Sequence, residues 1–421
     1  MIKSRLLDRF LRYVQVDTTA RDDAAGYPSS PGQLNLGRML VGELRGMGIA
    51  DAAQDEHGIV LATIPSTVDR PAPTIAFCSH LDTSPETPGA NVRPQVVENY
   101  AGGDLALPAD PRRVIRVADC PELAGMVGQT LITSDGATLL GADDKAGVAV
   151  IMEAADRLMA DRQRKHGAVR VCFTCDEEIG RGVDHIDIQR LGAAACYTLD
   201  GQGAGIIDVE TFSADLATVT IRGRNIHPSI AKGKMVNAVR AAGDFLARLP
   251  RDRLAPEVTE GREGFLHPYE MAGGVAEARL KILLRDFSTP ALAGHADVLR
   301  RAAAETARAV PGVEFDIQVK VQYRNMGEGL AKEPRAVRYA ERALEKLGFQ
   351  AELAIVRGGT DGSRLTEMGL PTPNLSTGQH TPHSPLEWAC LEEMEQSVAW
   401  IMAIAETWAE TLDPASGHPA P

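Results

Sequence analysis

Short apolar runs alternate with helical runs through the first half of the chain, and this alternation restricts the fold more than any other feature. GIVLATI (58–64) and PTIAFCSHLDT (73–83) read as strands, and KAGVAVIMEAADRLMA (145–160) repeats its apolar residues at helical spacing. GAVRVCFTC (167–175) and AACYTLD (194–200) read as further strands. Such alternation predicts an α/β fold with a sheet covered on both faces. The pattern changes near residue 210. FSADLATVTIRG, GGVAEARLKILLRDF and VEFDIQVKVQY are long alternating strands, with the helical stretches MVNAVRAAGDFLARL and PALAGHADVLRRAAAETARAV among them. After these, PRAVRYAERALEKLG, QAELAIV and LEEMEQSVAWIMAIAETWAE return to the earlier style. The expected organisation is an α/β domain in two parts, residues 1–210 and 326–421, interrupted by an inserted α+β domain over 211–325. The Pro- and Ala-rich tail after Leu412 is expected to fray.

With 421 residues the chain can bury a sizeable core. Its formal net charge of −13 argues against nucleic acid as a partner, because phosphate binding wants a basic face. No apolar run approaches the roughly 18 residues of a membrane span. The opening MIKSRLLDRFLRYVQVD carries Asp8, Arg9 and Arg12 among its apolar residues and reads as an amphipathic helix, not a secretion signal. A cytoplasmic protein is the expectation. The six cysteines show no framework spacing. Cys172 and Cys175 form a C-x-x-C pattern, but within a strand residues three apart point to opposite faces, so packing is their expected role.

Acidic residues and histidines recur at the ends of the apolar strands, where sites form in open α/β sheets. CSHLDTS puts His80 and Asp82 on one side of a strand end. GADDKAG supplies Asp143 and Asp144, adjacent like charges that need a cation, either Lys145 or a metal. FTCDEEIG supplies Glu177 and Glu178, YTLDGQG supplies Asp200, and GQHTPHSPLEW supplies His383. Each alone has a duller role as a turn or solvated residue, but together a His/carboxylate set suits zinc. Two zinc ions sharing one carboxylate, each with one His and one further carboxylate, need five ligands, and His80, Asp143, Glu178, Asp200 and His383 are that number. Asp82 can then hold the second ring nitrogen of His80. Glu177, beside a ligand, can take a proton from metal-bound water. The glycines of DGQGAGIIDVE lack the helix that a dinucleotide loop would open.

These motifs resemble the peptidase T family of bacterial tripeptide aminopeptidases, within a superfamily of di-zinc exopeptidases and aminoacylases. SHLDTSP, NVRPQVVENYAGGDLAL, GQTLITSDGATLLGADDKAGVAV, FTCDEEIG, NIHPSIAKGKMVNA, TEGREGFLH, LLRDF and RGGTDGSRL carry the resemblance, which runs from about residue 5 to about residue 410. It implies a mixed-sheet zinc exopeptidase domain with an inserted lid or dimerisation-type domain, and it leaves a homodimer open. It implies that His80 and Asp200 hold the first zinc, Glu178 and His383 the second, and Asp143 both. It also implies that Glu177 is the general base, Asp82 the orienting carboxylate, and the Asp143–Asp144 peptide cis. Asp144 is then no ligand and faces Lys145 or backbone donors. His227 resembles the family histidine that reaches the scissile carbonyl, and Arg285 and Arg357 are candidates for the substrate carboxylate. The loop HTPHSPLEW departs from the family's usual aromatic or basic residue after the last histidine, but His383 keeps a spacing of four to Glu387. The implied activity is release of the N-terminal residue of tripeptides by metal-bound hydroxide. A dipeptidase, an N-acyl amino acid hydrolase or an inactive peptide- or zinc-binding relative are the alternatives.

Overall fold

The computed structural model describes residues 4–410, and the tail after Leu412 lies outside them. Two compact units are present. One comprises the described residues up to Val209, Glu328–Ala354 and those from Thr360 on, and the other comprises Glu210–Gly327 and Ile355–Gly359.

The first unit is built on a large mixed sheet. Strands Val169–Thr174, Ile75–His80, Ala195–Gln202 and Asn374–His380 lie side by side and parallel. Val60–Ile64 flanks them antiparallel on one side, and Trp388–Cys390 with Leu131–Thr133 on the other. All six residues of Ile75–His80 are buried, as expected of a strand covered on both faces. Helices Ala142–Ala160 and Leu391–Glu410 pack in the main core with the Arg5–Val14 helix. That first helix is capped by the Ser4 hydroxyl and buries Leu6, Leu7, Phe10, Tyr13 and Val14, the stripe its periodicity foretold. The expected α/β class is present. Cys172 and Cys175 fall into different core clusters, so the C-x-x-C pair does pack toward opposite faces. All six cysteines are unpaired and buried. No described helix is long and apolar enough to cross a membrane.

The second unit is a four-stranded antiparallel sheet in the order Phe265–Gly273, Glu277–Asp286, Ser213–Arg222, Glu314–Tyr323. Helices Ala238–Ala247 and Ala291–Ala309 share one apolar core with it. Residues Ile355–Gly359 join this unit from much later in the chain. Ile355 packs against an aromatic cluster of Phe212, Phe265 and Phe287, and Phe212 N–H donates to the Val356 carbonyl at 3.2 Å.

Candidate metal centre

The parallel strands deliver the acidic and imidazole side chains to one edge of the sheet. His80 ends its strand opposite Thr174 in register, so the turn that follows Thr174 comes up beside it. That turn holds Asp176 in the left-handed region (φ 62°), followed by one short 3₁₀ turn over Glu177–Ile179. Asp200 lies on the neighbouring parallel strand, and Asp143 and Asp144 enter the Ala142–Ala160 helix with non-helical torsions and a cis peptide between them.

The ligand atoms converge. His80 Nε2 lies 3.0 Å from Asp143 Oδ1 and 3.7 Å from Asp200 Oδ1. His383 Nε2 lies 3.2 Å from Asp143 Oδ2 and 2.9 Å from Glu178 Oε2. Two histidines therefore face opposite oxygens of one carboxylate, each with a second carboxylate at hand. His80, Asp143 and Glu178 each offer an atom within 4.8 Å of one another, and so do His80, Asp144 and Asp200. Glu178 Oε1 is buried without a hydrogen-bond partner. A buried carboxylate oxygen left so is costly, and a cation relieves it. This donor set of imidazole nitrogen and carboxylate oxygen fits a pair of divalent metal ions.

The electrostatics say the same. Burial alone would depress the pKa of His80, but the carboxylates of Asp143, Asp200 and Asp82 outweigh it and raise it well above the usual value. Hydrogen bonds to Asp143 and then Glu178 raise His383 to about 11, against desolvation. Burial works against the charge on Asp143, yet His383 and His80 hold it below the usual carboxylate range. Burial first and Asp143 second push Asp200 and Glu178 upward. Metal ions held by these groups would compete with protons for the same nitrogen and oxygen atoms.

Asp144 is fully buried, and its Oδ2 accepts the His80 backbone N–H at 3.1 Å. Of the two partners expected for it, the backbone donor is the one present. Lys145 is also buried but turns away, its Nζ donating to the Val16 carbonyl at 2.8 Å. The cation that the paired aspartates require is therefore not this lysine.

Asp82 does more than the spacing suggested. Its Oδ1 accepts the Glu177 N–H at 3.1 Å and its Oδ2 the Glu178 N–H at 3.0 Å. His80 Nδ1 lies 3.1 Å from the carbonyl oxygen of Asp82 and 3.5 Å from its carboxylate. The backbone carbonyl is thus the nearer partner of the ring, and the carboxylate mainly holds the Glu177–Glu178 turn. Burial holds the Glu177 carboxyl well above the usual range, with His80 pulling it down and Asp361, Asp200 and Glu178 pushing it up.

His380, the other histidine of the late loop, points elsewhere. It bonds Glu393 at 2.6 Å and stacks on Trp388 with ring centroids 3.7 Å apart.

Sequence reasoning passed over several supports of the site. Asp176 is fully buried and takes hydrogen bonds from Ser29 N–H at 2.7 Å, Ser29 Oγ at 2.5 Å and Gln33 Nε2 at 2.6 Å. Asp361 is buried and accepts from Thr174 Oγ1 at 2.8 Å. Glu387, noted only for its spacing, is buried and receives three peptide N–H groups from the loop that carries Asp143. The acidic residues in CDEEIG and RGGTDG were visible in the sequence, but nothing in it marked them as buried.

The three residues considered for substrate lie in the second unit. His227 is exposed, and its Nδ1 binds Ser229 Oγ at 2.7 Å and accepts the Ser229 N–H, capping a short turn. Arg357 donates to the Gly261 carbonyl at 2.8 Å and to Thr259 Oγ1 at 3.0 Å, and its guanidinium lies over the Phe212 and Phe265 rings. Arg285 donates to the Arg357 carbonyl at 3.4 Å, and its Nε is buried without a partner.

Residues 139–407 match the peptidase family M20/M25/M40. Peptidase T of Bacillus subtilis is 43% identical over 405 residues, covering 96% of this chain and 98% of the relative. Peptidase T of Brevibacillus brevis is 43% identical over 407 residues, covering 97% of this chain and 99% of the relative. Among solved structures, aminopeptidase PepT from Bacillus cereus matches with TM-score 0.74 at 26% identity, covering 96% of this chain and 98% of that one. A tripeptidase from Staphylococcus aureus shares the fold with TM-score 0.76 at 23% identity, covering 97% and 98%. The chain belongs to the peptidase family M20/M25/M40 and, at this identity over nearly its whole length, to the peptidase T group within it.

Proposed function

We propose that the chain is a zinc aminopeptidase that releases the N-terminal residue of tripeptides, with two metal ions per chain. The observation that carries this reading is Asp143, whose two oxygens face two different histidines at 3.0 and 3.2 Å. His80 and Asp200 hold one ion, His383 and Glu178 the other, and Asp143 both. Bound zinc supplies a polarised scissile carbonyl and a water acidic enough to ionise near neutral pH. Glu177 takes the proton of the attacking water and returns it to the leaving amine nitrogen, a role suited to a carboxylate that stands next to a metal-holding residue and whose turn is fixed by Asp82. Asp82 fixes the turn bearing Glu177 and stands beside the His80 ring, setting both directions. In the inserted domain, residues 211–325, His227 serves the scissile carbonyl, and Arg285 receives the substrate carboxylate together with Arg357 from the later segment of the same unit. The unpaired cysteines suit a reducing compartment, and the cytoplasm is the proposed location.

The reading is tested with a panel of tripeptides, dipeptides and N-acetyl amino acids assayed by product identification. Tripeptides should yield the free N-terminal amino acid and a dipeptide. Preferred hydrolysis of dipeptides or of N-acetyl amino acids would move the chain to another specificity of the same superfamily, and no turnover with metal bound would make it a binding protein.

Length selection gives a sharper result. Arg285 is the cleaner probe, because Arg357 is already engaged with Gly261, Thr259 and two aromatic rings. Arg285→Ala should raise KM for tripeptides about 30-fold, the equivalent of losing about 2 kcal/mol of charge-assisted hydrogen bonding. Its melting temperature should stay near that of the parent. If the parent enzyme cleaves tripeptide amides as well as free tripeptides, neither arginine reads the carboxylate.

A further inference from the structure

Glu387 is 1% exposed and stands four residues after His383 in the same loop. Its Oε2 accepts the N–H groups of Leu140 and Gly141, both at 2.7 Å, and its Oε1 accepts the N–H of Asp143 at 3.0 Å. All three donors are peptide groups. Gly141 adopts φ 82°, the left-handed region that glycine tolerates, and this torsion turns successive N–H groups toward one acceptor. The loop has thus bent its backbone around a carboxylate. A buried carboxylate is a costly way to satisfy peptide donors unless both of its oxygens are needed. A glutamine has one acceptor oxygen and would set its amide N–H₂ against an N–H of the loop. The carboxylate also reaches between the two parts of the metal centre that lie farthest apart in sequence. Residues 140–143 end on Asp143, and the loop 383–387 begins on His383, whose Nε2 lies 3.2 Å from Asp143 Oδ2.

We infer that Glu387 is a positioning residue for the metal centre: by clamping the Leu140–Asp143 backbone to the His383 loop, it aims one Asp143 oxygen at each metal position and so sustains occupancy of both. This rests on the two-metal reading above. Both Glu387 oxygens are occupied by peptide N–H groups, so it is assigned no place as a ligand. It acts through the direction of Asp143.

The test uses the full chain with zinc, and with cobalt as a spectroscopic substitute. Glu387→Gln should weaken zinc binding roughly 10- to 100-fold in chelator competition, the usual size of a supporting-partner effect on a metal site. It should also shift the visible absorption of the cobalt protein and lower kcat with little change in KM. Glu387→Asp keeps both oxygens on a shorter arm and should recover part of the affinity, and it serves as the second variant where Gln folds poorly. Folded variants that hold zinc with parental affinity and show the parental cobalt spectrum overturn the inference, even if they melt earlier, because a purely structural role would produce that pattern. A parental protein that binds no zinc overturns the two-metal reading itself, and the inference with it.

Discussion

Glu177→Gln is expected to keep the fold and both metal ions while losing activity by a factor on the order of 10²–10⁴, the usual contribution of a positioned general base. The side chains are nearly isosteric. The Asp82 bond to residue 177 runs to its backbone N–H, so the substitution leaves it in place. KM should change little, because proton transfer is felt in the transition state. Glu178→Gln should behave differently. Glu178 Oε2 lies 2.9 Å from His383 Nε2 and its Oε1 has no partner, so a neutral amide there removes a ligand. That variant should lose metal, and added zinc should restore part of its activity. Elemental analysis and kinetics on the pair separate the two neighbours. Metal lost from Glu177→Gln and kept by Glu178→Gln would mean that the roles are exchanged.

The second large effect is expected at Asp143. Asp143→Asn should abolish stable occupancy of both metal positions and reduce activity by at least as much as Glu177→Gln. An amide presents one oxygen where the two histidines face two, and it removes the negative charge that both ions would share. Asp200→Asn should be milder in metal content, because Asp200 stands beside only one of the two histidines, His80, at 3.7 Å. Metal content after gel filtration gives the readout. One tightly held ion together with substantial activity in Asp143→Asn would show that the carboxylate is not shared.

Much of this arrangement is legible in the sequence. A strand buried on both faces must end where its side chains can again meet water or ligand, and in parallel strands those ends lie together. His80, Glu177, Glu178 and Asp200 were therefore placed at one edge by the runs that precede them. The change from alternating strands and helices to long amphipathic strands near residue 210 likewise marked the four-stranded sheet. What the sequence hid depends on contacts between distant segments. Asp176 is held by Ser29, 147 residues away, and nothing local distinguishes that aspartate from a solvated one. Glu387 meets Leu140 across 247 residues. Residues 355–359 read as part of the closing α/β segment, yet they pack on the aromatic cluster of the second unit, because Phe212 and Phe265 offer rings to Arg357 and an apolar seat to Ile355. Asp82 shows how much a local inference leaves out. Period two puts it beside His80, but its two oxygens are drawn to the peptide N–H groups of residues 177 and 178, which only the fold brings near.

The shared-carboxylate centre is tested most directly by titrating metal-free protein with zinc while following tripeptide hydrolysis and bound metal together. Activity should be absent without metal and should reach its maximum only as occupancy approaches two ions per chain, with chelator reversing it. Full activity at one ion per chain, or in protein stripped of metal, would contradict the two-metal centre built on Asp143.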